Sequence, residues 1–342
     1  MSKERNIGLD LIRIFACTAV VTLHGICTTA GTYTLYLYYF CGFAVPCFFT
    51  ITGYFLFSKE NISEMYLIKK ASRYLRLIII WSIIMYVVDD MLLVINGGKA
   101  LGIGHFIEIF LGSLFCSNWL SHLWYLWAML IVYICLVLII ALCRRLKINN
   151  YILKCWLIFL SVSIILQIIS YINKRPEVIG TRYNFCRTWT YLQYVFLGGL
   201  IPNVYEAFKK HISLRVHTIL FVCYSFAATL YFSFICQKIY MVTFVHNMYD
   251  SLVMIFWIII IFTLVLRVKI KSKILTAAAE RIAPLTLGIY ILQSIVLAFF
   301  YNVEWMDYPN GSVVRCGIVF LICLGLSWII KKIPGSKYCL SV

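Results

Sequence analysis

Apolar runs of about 20 residues, separated by short polar gaps, recur along the whole of this chain. A run of that length forms a helix of roughly 30 Å, enough to cross the hydrocarbon core of a bilayer. The pattern predicts ten membrane spans, at about 9–28, 36–57, 76–95, 122–142, 152–172, 188–206, 216–236, 248–267, 283–302 and 313–332. The longest polar gaps are loops, too short for a soluble domain. We therefore expect an all-α polytopic membrane protein, with residues 1–342 forming a single transmembrane domain without a fused soluble domain.

One further apolar stretch, 101–116, is shorter than a membrane span and contains His105, Glu108 and several glycines. An apolar segment of this length is more typical of an interfacial or re-entrant helix than of a spanning helix. We expect this helix on the outer side of the membrane.

The distribution of positive charge orients the predicted spans. Of the 30 lysines and arginines, 22 fall on one side of the membrane, seven on the other, and Arg13 lies within the first span. Basic residues concentrate on the cytoplasmic side, so both termini are expected in the cytoplasm. Most of the net charge of +17 is then explained by topology and lipid contact, and not by nucleic-acid binding. Four of the seven outer cations lie in 174–187, which suggests an anionic ligand or a local partner such as Glu177.

Composition excludes several other classes of protein. Hydrophobic residues make up 63% of the chain and charged residues 13%, against about 25% charged in soluble proteins. Asp10 and Arg13 interrupt the first apolar run, so we expect it to stay in the mature protein and not to be a cleaved signal. The 14 cysteines show no C-x-x-C spacing, so we expect neither a disulfide framework nor a metal site.

Arg13 and His24 share one face of the first predicted span. Eleven residues at 100° each amount to three turns plus about 20°, and they separate the two side chains by roughly 16 Å along the axis. A charged or strongly polar residue within a membrane costs roughly 2.5 kcal/mol or more, so such residues point to function. The alternatives are a packing role for His24 and a structural ion pair between Arg13 and Asp10, three residues earlier.

Six segments, in order, resemble motifs of the acyltransferase-3 family of integral-membrane acyltransferases. They are the R-x10-H pair of Arg13 and His24, PCFFTITGYFL at 46–56, RYLR at 73–76, HLWYL at 122–126, YVFLGG at 194–199 and LGIYIL at 287–292. The resemblance covers the chain from about residue 5 to residue 330. Two departures are that Thr52 replaces the usual serine, and that Gln293 stands where many members have histidine. We therefore assign no acid–base role to Gln293.

The resemblance implies a reaction and a location. Such enzymes move an acyl group, commonly acetyl, from cytoplasmic acyl-CoA to a hydroxyl of a cell-surface polysaccharide or glycolipid outside the membrane. It implies a multi-pass protein of the bacterial plasma membrane, with acyl-CoA as a substrate and without a bound cofactor. Fused members carry an extracytoplasmic hydrolase-like domain. Without one, we expect this chain to act alone or with a separate extracytoplasmic protein that receives the acyl group.

The resemblance also implies roles for individual residues. His24 would be the catalytic residue, either as the base that activates the acceptor hydroxyl or as a covalent acyl carrier. Arg13 would join it, holding a phosphate or the thioester arm of CoA. The remaining predicted contacts are Arg73 and Arg76 to acyl-CoA, and His122, Trp124, Arg182 and Arg187 to the acceptor. The alternatives are a topology anchor for the Arg73 pair, an interfacial aromatic belt for Trp124, and lipid or carboxylate pairing for Arg182 and Arg187.

The main rival hypothesis is a transporter of a small polar solute such as an amino acid, with Arg13 and His24 lining its path. The sequence contains no convincing internal repeat and no inverted pair of broken helices, which weakens that hypothesis.

Overall fold

The computed structural model of the protein describes residues 6–29, 31–59, 61–95, 97, 99, 102–115, 121–176, 184–243, 248–300 and 303–340. Over these residues the chain is helical and contains no strand. The α-helices are α1 (Ile7–Gly25), α2 (Thr32–Phe40), α3 (Ala44–Phe57), α4 (Glu64–Ile95), α5 (Ile103–Phe115), α6 (Trp124–Arg145), α7 (Tyr151–Asn173), α8 (Thr188–His211), α9 (Leu214–Phe234), α10 (Leu252–Val265), α11 (Lys273–Ile282), α12 (Thr286–Ala298), α13 (Pro309–Lys332) and α14 (Lys337–Leu340). Short 3₁₀ turns occur at Cys41–Phe43, Ser121–Leu123, Asn184–Arg187, Ala283–Leu285 and Glu304–Asp307, and a π-helix at Ile235–Tyr240.

The helices confirm an all-helical, multi-pass protein. In the part of the chain that the structure describes, eight helical segments are long and apolar enough to cross a membrane. Helices α8 and α10 cover the other two predicted spans, but α8 is less apolar and α10 has only 14 residues. The count of ten and the cytoplasmic placement of both termini therefore stay predictions. Helix α5 is the short apolar helix expected at 101–116, and its membrane position also stays a prediction.

Contacts between Cα atoms divide the chain into two compact units, each assembled from segments that are distant in sequence. The first unit comprises Met1–Glu60, Asn150–Val178 and Trp189–Leu326. The second comprises Asn61–Asn149, Ile179–Thr188 and Ser327–Val342.

Helix α1 lies in the interior of the first unit. It packs against α3, α10, α11 and α12. Its apolar side chains Leu9, Ile12, Ala16 and Val20 are almost fully buried. Their spacing of three to four residues forms the stripe that an α-helix buries. The packing leaves Arg13 partly open and His24 exposed on the rest of the helix surface.

Helices α3 and α8 of the first unit touch backbone to backbone. A Cβ added at Gly53 would lie 1.8 Å from the carbonyl oxygen of Val195, and one at Gly198 would lie 2.1 Å from that of Thr50. Only glycine permits so close an approach at these positions. Glycine at position 53 therefore allows the two helices to approach closely. Thr52 donates its hydroxyl to a carbonyl four residues earlier on its own helix, at 2.9 Å.

The second unit is built on α4 and α6, which pack along each other. Helices α5 and α14 both lie against α4. The indole Nε1 of Trp81 donates to the carbonyl oxygen of Cys339 at 2.9 Å and thereby ties α14 to α4. The rings of Tyr74 and Tyr133 stack between α4 and α6, with centroids 5.7 Å apart.

Candidate functional site

Helix α1 carries both Arg13 and His24 without a break. It begins after Asn6, whose side-chain oxygen accepts from the backbone N–H of Leu9 at 3.3 Å and so caps the first turn. It ends at Gly25, because Ile26 is already extended. The helix is therefore regular between the two side chains, and the separation of roughly 16 Å along one face follows from its rise per residue.

Arg13 contacts Asp10 and Phe55 in the first unit. Its guanidinium forms an ion pair with the buried Asp10 at 3.6 Å and lies 4.9 Å from the ring centroid of Phe55. The ion pair is the structural role that the three-residue spacing predicted. One third of the Arg13 side chain is exposed, so the guanidinium remains accessible to a ligand.

His24 lies near the other end of α1, and its side chain is exposed. It makes no side-chain hydrogen bond or ion pair with the described residues. A histidine with a purely structural role usually makes such a bond, because a buried polar group without a hydrogen bond lowers the stability of the fold. His24 thus has no hydrogen-bond partner among the described residues, and an imidazole in that state can accept a proton from a bound molecule.

A buried arginine that sequence analysis did not assign to the site holds the end of α1 beside His24. Arg315 on α13 donates from Nε to the carbonyl oxygen of Gly25 at 2.9 Å, and from Nη1 to Asp307 at 2.9 Å. A Cβ at Gly25 would lie 2.9 Å from the sulfur of Cys316, so the contact also requires a small residue. The available signal was a single arginine in the apolar stretch of the last predicted span.

A second group that the sequence did not reveal is the carboxylate of Asp250, which is buried in the first unit. The hydroxyl of Ser163 donates to its Oδ1 at 3.1 Å, and that of Thr190 donates to the same oxygen. These bonds tie α7 and α8 to the segment before α10. A polar stripe of Ser163, Gln167 and Ser170 on the apolar α7 was the signal in the sequence. We assign Asp250 a role in holding these helices together.

The predicted acyl-CoA contacts lie in the second unit, on α4. Arg73 is exposed and Arg76 is half-buried. The guanidinium of Arg76 lies 5.0 Å from the ring centroid of Tyr338, and its buried Nε has no hydrogen-bond partner among the described residues. The guanidinium of Arg76 is thus placed against an aromatic ring.

The predicted acceptor contacts also fall in the second unit. His122 and Arg187 are buried, at 3% and 5% exposure, and Trp124 is half-buried. Arg187 ends the 3₁₀ turn Asn184–Arg187, which packs against α6. Of these three residues, Trp124 presents the most open surface. Arg182 and its suggested partner Glu177 lie outside the described residues.

The structure thus places the predicted residues in separate parts of the fold. Arg13 and His24 belong to the first unit, whereas Arg73, Arg76, His122, Trp124 and Arg187 belong to the second. Within the first unit, the ion pair to Asp10 holds Arg13, and the contact of Arg315 with Gly25 holds the helix end next to His24.

Comparisons with known proteins address the family directly. The acyltransferase-3 family, described as an acyltransferase domain, matches residues 6–332, nearly the whole chain. A protein of Enterococcus faecalis named an amino-acid racemase is 26% identical over 351 residues, covering 97% of this chain. The chain spans about half of that relative, 46% of its length. No solved structure matches the chain. The extent of the family match establishes that this chain belongs to the acyltransferase-3 family.

Proposed function

We propose that this protein transfers an acyl group, most often acetyl, from cytoplasmic acyl-CoA to a hydroxyl of an extracytoplasmic polysaccharide or glycolipid. The observation that carries the proposal is the arrangement of α1. An exposed imidazole without a partner among the described residues lies about 16 Å along one helix from a partly exposed guanidinium, in a chain of the acyltransferase-3 family.

The donor would extend along α1. Arg13 would bind a phosphate or the polar arm of acyl-CoA, and the thioester would reach the level of His24. Arg73 and Arg76 would bind further phosphates of CoA, for which the planar guanidinium is suited. The exposed side chain of Arg73 and the half-buried side chain of Arg76 support this assignment.

The chemistry at His24 has two forms. As a base, the imidazole takes the proton of the acceptor hydroxyl while the oxygen of that hydroxyl attacks the thioester carbonyl. The carbon–sulfur bond then breaks, the carbon–oxygen ester bond remains, and the proton passes to the departing CoA sulfur. As an acyl carrier, the imidazole nitrogen attacks first, releases CoA, and then yields the acyl group to the hydroxyl. Both forms need an accessible ring nitrogen, and the exposed His24 side chain supports this requirement.

We also propose that the acceptor is contacted by His122, Trp124, Arg182 and Arg187. The half-buried Trp124 would stack on a sugar ring, while the buried His122 and Arg187 would act through neighbouring groups. A separate extracytoplasmic protein that receives the acyl group stays part of the proposal, as does the bacterial plasma membrane as location.

The transporter alternative gains no support from the family match or from the relative named a racemase. Uptake of a solute into vesicles that contain this protein and no CoA would favour it.

The proposal is tested in cells whose own copy of the gene is deleted and replaced by a variant. Acyl groups released from the envelope by mild alkali are measured, together with transfer from labelled acetyl-CoA in isolated membranes. His24→Ala should abolish transfer. His211→Ala, which removes an exposed histidine at the end of α8 in the same unit, should transfer normally.

Two outcomes would count against the proposal. Normal transfer by a His24→Ala protein with unchanged thermal stability would remove the catalytic role of His24. Absence of any acylation by the wild-type protein, accompanied by CoA-independent solute uptake, would replace the transferase with the transporter.

A further inference from the structure

An open recess of about 600 Å³ lies in the first unit beside the end of α1 that carries His24. Its walls are the residues that follow α1, the beginning of α2, and the end of α9 with its π-helix. Thr28, in the wall, follows His24 by four residues. Four residues of fully extended chain span at most about 14 Å, which limits the distance between the Cα atoms of His24 and Thr28.

The polar part of the wall is rich in hydroxyl groups. Among the lining residues, Thr28, Thr29, Thr32 and Ser233 carry hydroxyls, Gln237 an amide and Lys238 an ammonium group. The amide nitrogen of Gln237 donates to the Ser233 hydroxyl at 2.8 Å, which fixes both side chains. The described lining contains no carboxylate and one cation. Such a wall suits a ligand with many hydroxyls and at most a single negative charge.

Aromatic and aliphatic groups complete the wall. Tyr36 and Phe234 are both exposed, at 38% and 57%. An apolar surface with a few fixed polar groups is typical of a small-ligand site, and the volume falls within the range of roughly 300–1,000 Å³ for such sites. Sugar rings combine apolar faces with hydroxyl edges and therefore match both parts of this wall.

The backbone of one wall is unusual in itself. Gln237 and Lys238 lie within the π-helix Ile235–Tyr240, where each turn holds an extra residue. π-helical segments are rare and occur often at functional sites, because the altered register re-aims side chains. Here the segment contributes two of the polar groups that line the recess.

We propose that this recess binds the acceptor, a hydroxyl-rich glycan segment with at most one negative charge, so that one hydroxyl lies at His24. The proposal rests on the transferase activity proposed above and adds a site in the first unit to the acceptor contacts proposed in the second unit. The apolar faces of the sugar lie on Tyr36 and Phe234, and its hydroxyls bond to Gln237 and Lys238.

The test compares two threonine-to-tryptophan variants in the isolated-membrane transfer assay. Thr32→Trp fills the recess, while Thr218→Trp adds the same bulk at an exposed position near the opposite end of α9. Thr32→Trp should raise the acceptor KM at least tenfold, without changing the thermal stabilisation of the purified protein by acetyl-CoA. Lys238→Ala should raise the acceptor KM by roughly three- to tenfold, the worth of one lost hydrogen bond. Thr218→Trp should behave as the wild type.

Equal acceptor KM values in Thr32→Trp, Lys238→Ala and the wild type would overturn the recess as the acceptor site while leaving the transferase intact. Loss of stabilisation by acetyl-CoA in Thr32→Trp would assign the recess to the donor instead. If Thr32→Trp does not fold, the exposed Lys238→Ala change decides the question alone. If neither wild type nor Thr218→Trp transfers an acyl group, the proposed function fails, and the acceptor site fails with it.

Discussion

Replacing Arg315 by methionine should loosen the end of α1 and displace His24. Methionine retains most of the aliphatic stem but removes both donors, so the carbonyl of Gly25 loses its charged hydrogen bond. That bond is buried and is worth about 1.5–3 kcal/mol. The pair with Asp307, whose side chain is 55% exposed, adds about 0–1 kcal/mol. We expect the free energy of unfolding to fall by about 1.5–4 kcal/mol.

The size of this effect can be separated into its two parts. Asp307→Asn removes only the exposed ion pair and should lower stability by at most about 1 kcal/mol. Arg215→Met makes the same chemical change at an exposed arginine on α9 and serves as the matched control. Chemical denaturation of the three purified variants in the same detergent measures the differences.

The same variants test whether Arg315 positions His24. A displacement of a catalytic group by about 1 Å costs on the order of 100-fold in rate, so acyl transfer by Arg315→Met should fall by about that factor in protein that is still folded. Equal stability of Arg315→Met and Asp307→Asn would refute the role of the Gly25 bond. Normal transfer by a destabilised Arg315→Met protein would refute its influence on His24.

Three further predictions follow from the packing. Gly198→Ala should abolish folding, because its Cβ would lie 2.1 Å from a backbone oxygen. Gly317→Ala should be tolerated, because the space around that position is open. The yield of folded protein after size-exclusion chromatography distinguishes the two variants. Gln293→Met should raise stability by about 1–3 kcal/mol in denaturation, because both amide atoms are buried without a partner among the described residues; a clear loss of stability would contradict this. Thr190→Val should lower stability by about 1.5–3 kcal/mol, since it removes a hydrogen bond to the buried carboxylate of Asp250; an unchanged denaturation midpoint would disprove that role.

The spans were predictable because their signal is local. A helix that crosses a membrane needs a long apolar run, and each such run in the sequence corresponds to a helix in the described structure. Helix ends were less predictable: the first span was predicted to reach residue 28, but α1 ends at Gly25 because Ile26 is extended. Hydropathy does not mark this point, because a helix ends where the backbone conformation changes.

Part of the site was predictable for the same reason. The ion pair between Asp10 and Arg13 joins residues three apart on one helix, and their spacing alone places them together. The shared face of Arg13 and His24 likewise follows from helical periodicity. The motifs at 46–56 and 194–199 were visible in the sequence, but not that Gly53 and Gly198 lie on helices packed against each other.

The membrane class, the family motifs and the placement of Arg13 and His24 on one helix follow from the amino-acid sequence, because each depends on neighbours within a few turns. The groups that surround these two residues are known only from the folded structure. Arg315 meets the carbonyl of Gly25 across 290 positions of the chain, and the recess near His24 joins the beginning of α2 to the end of α9. Such contacts depend on how helices pack, and residue spacing along one helix carries no information about them.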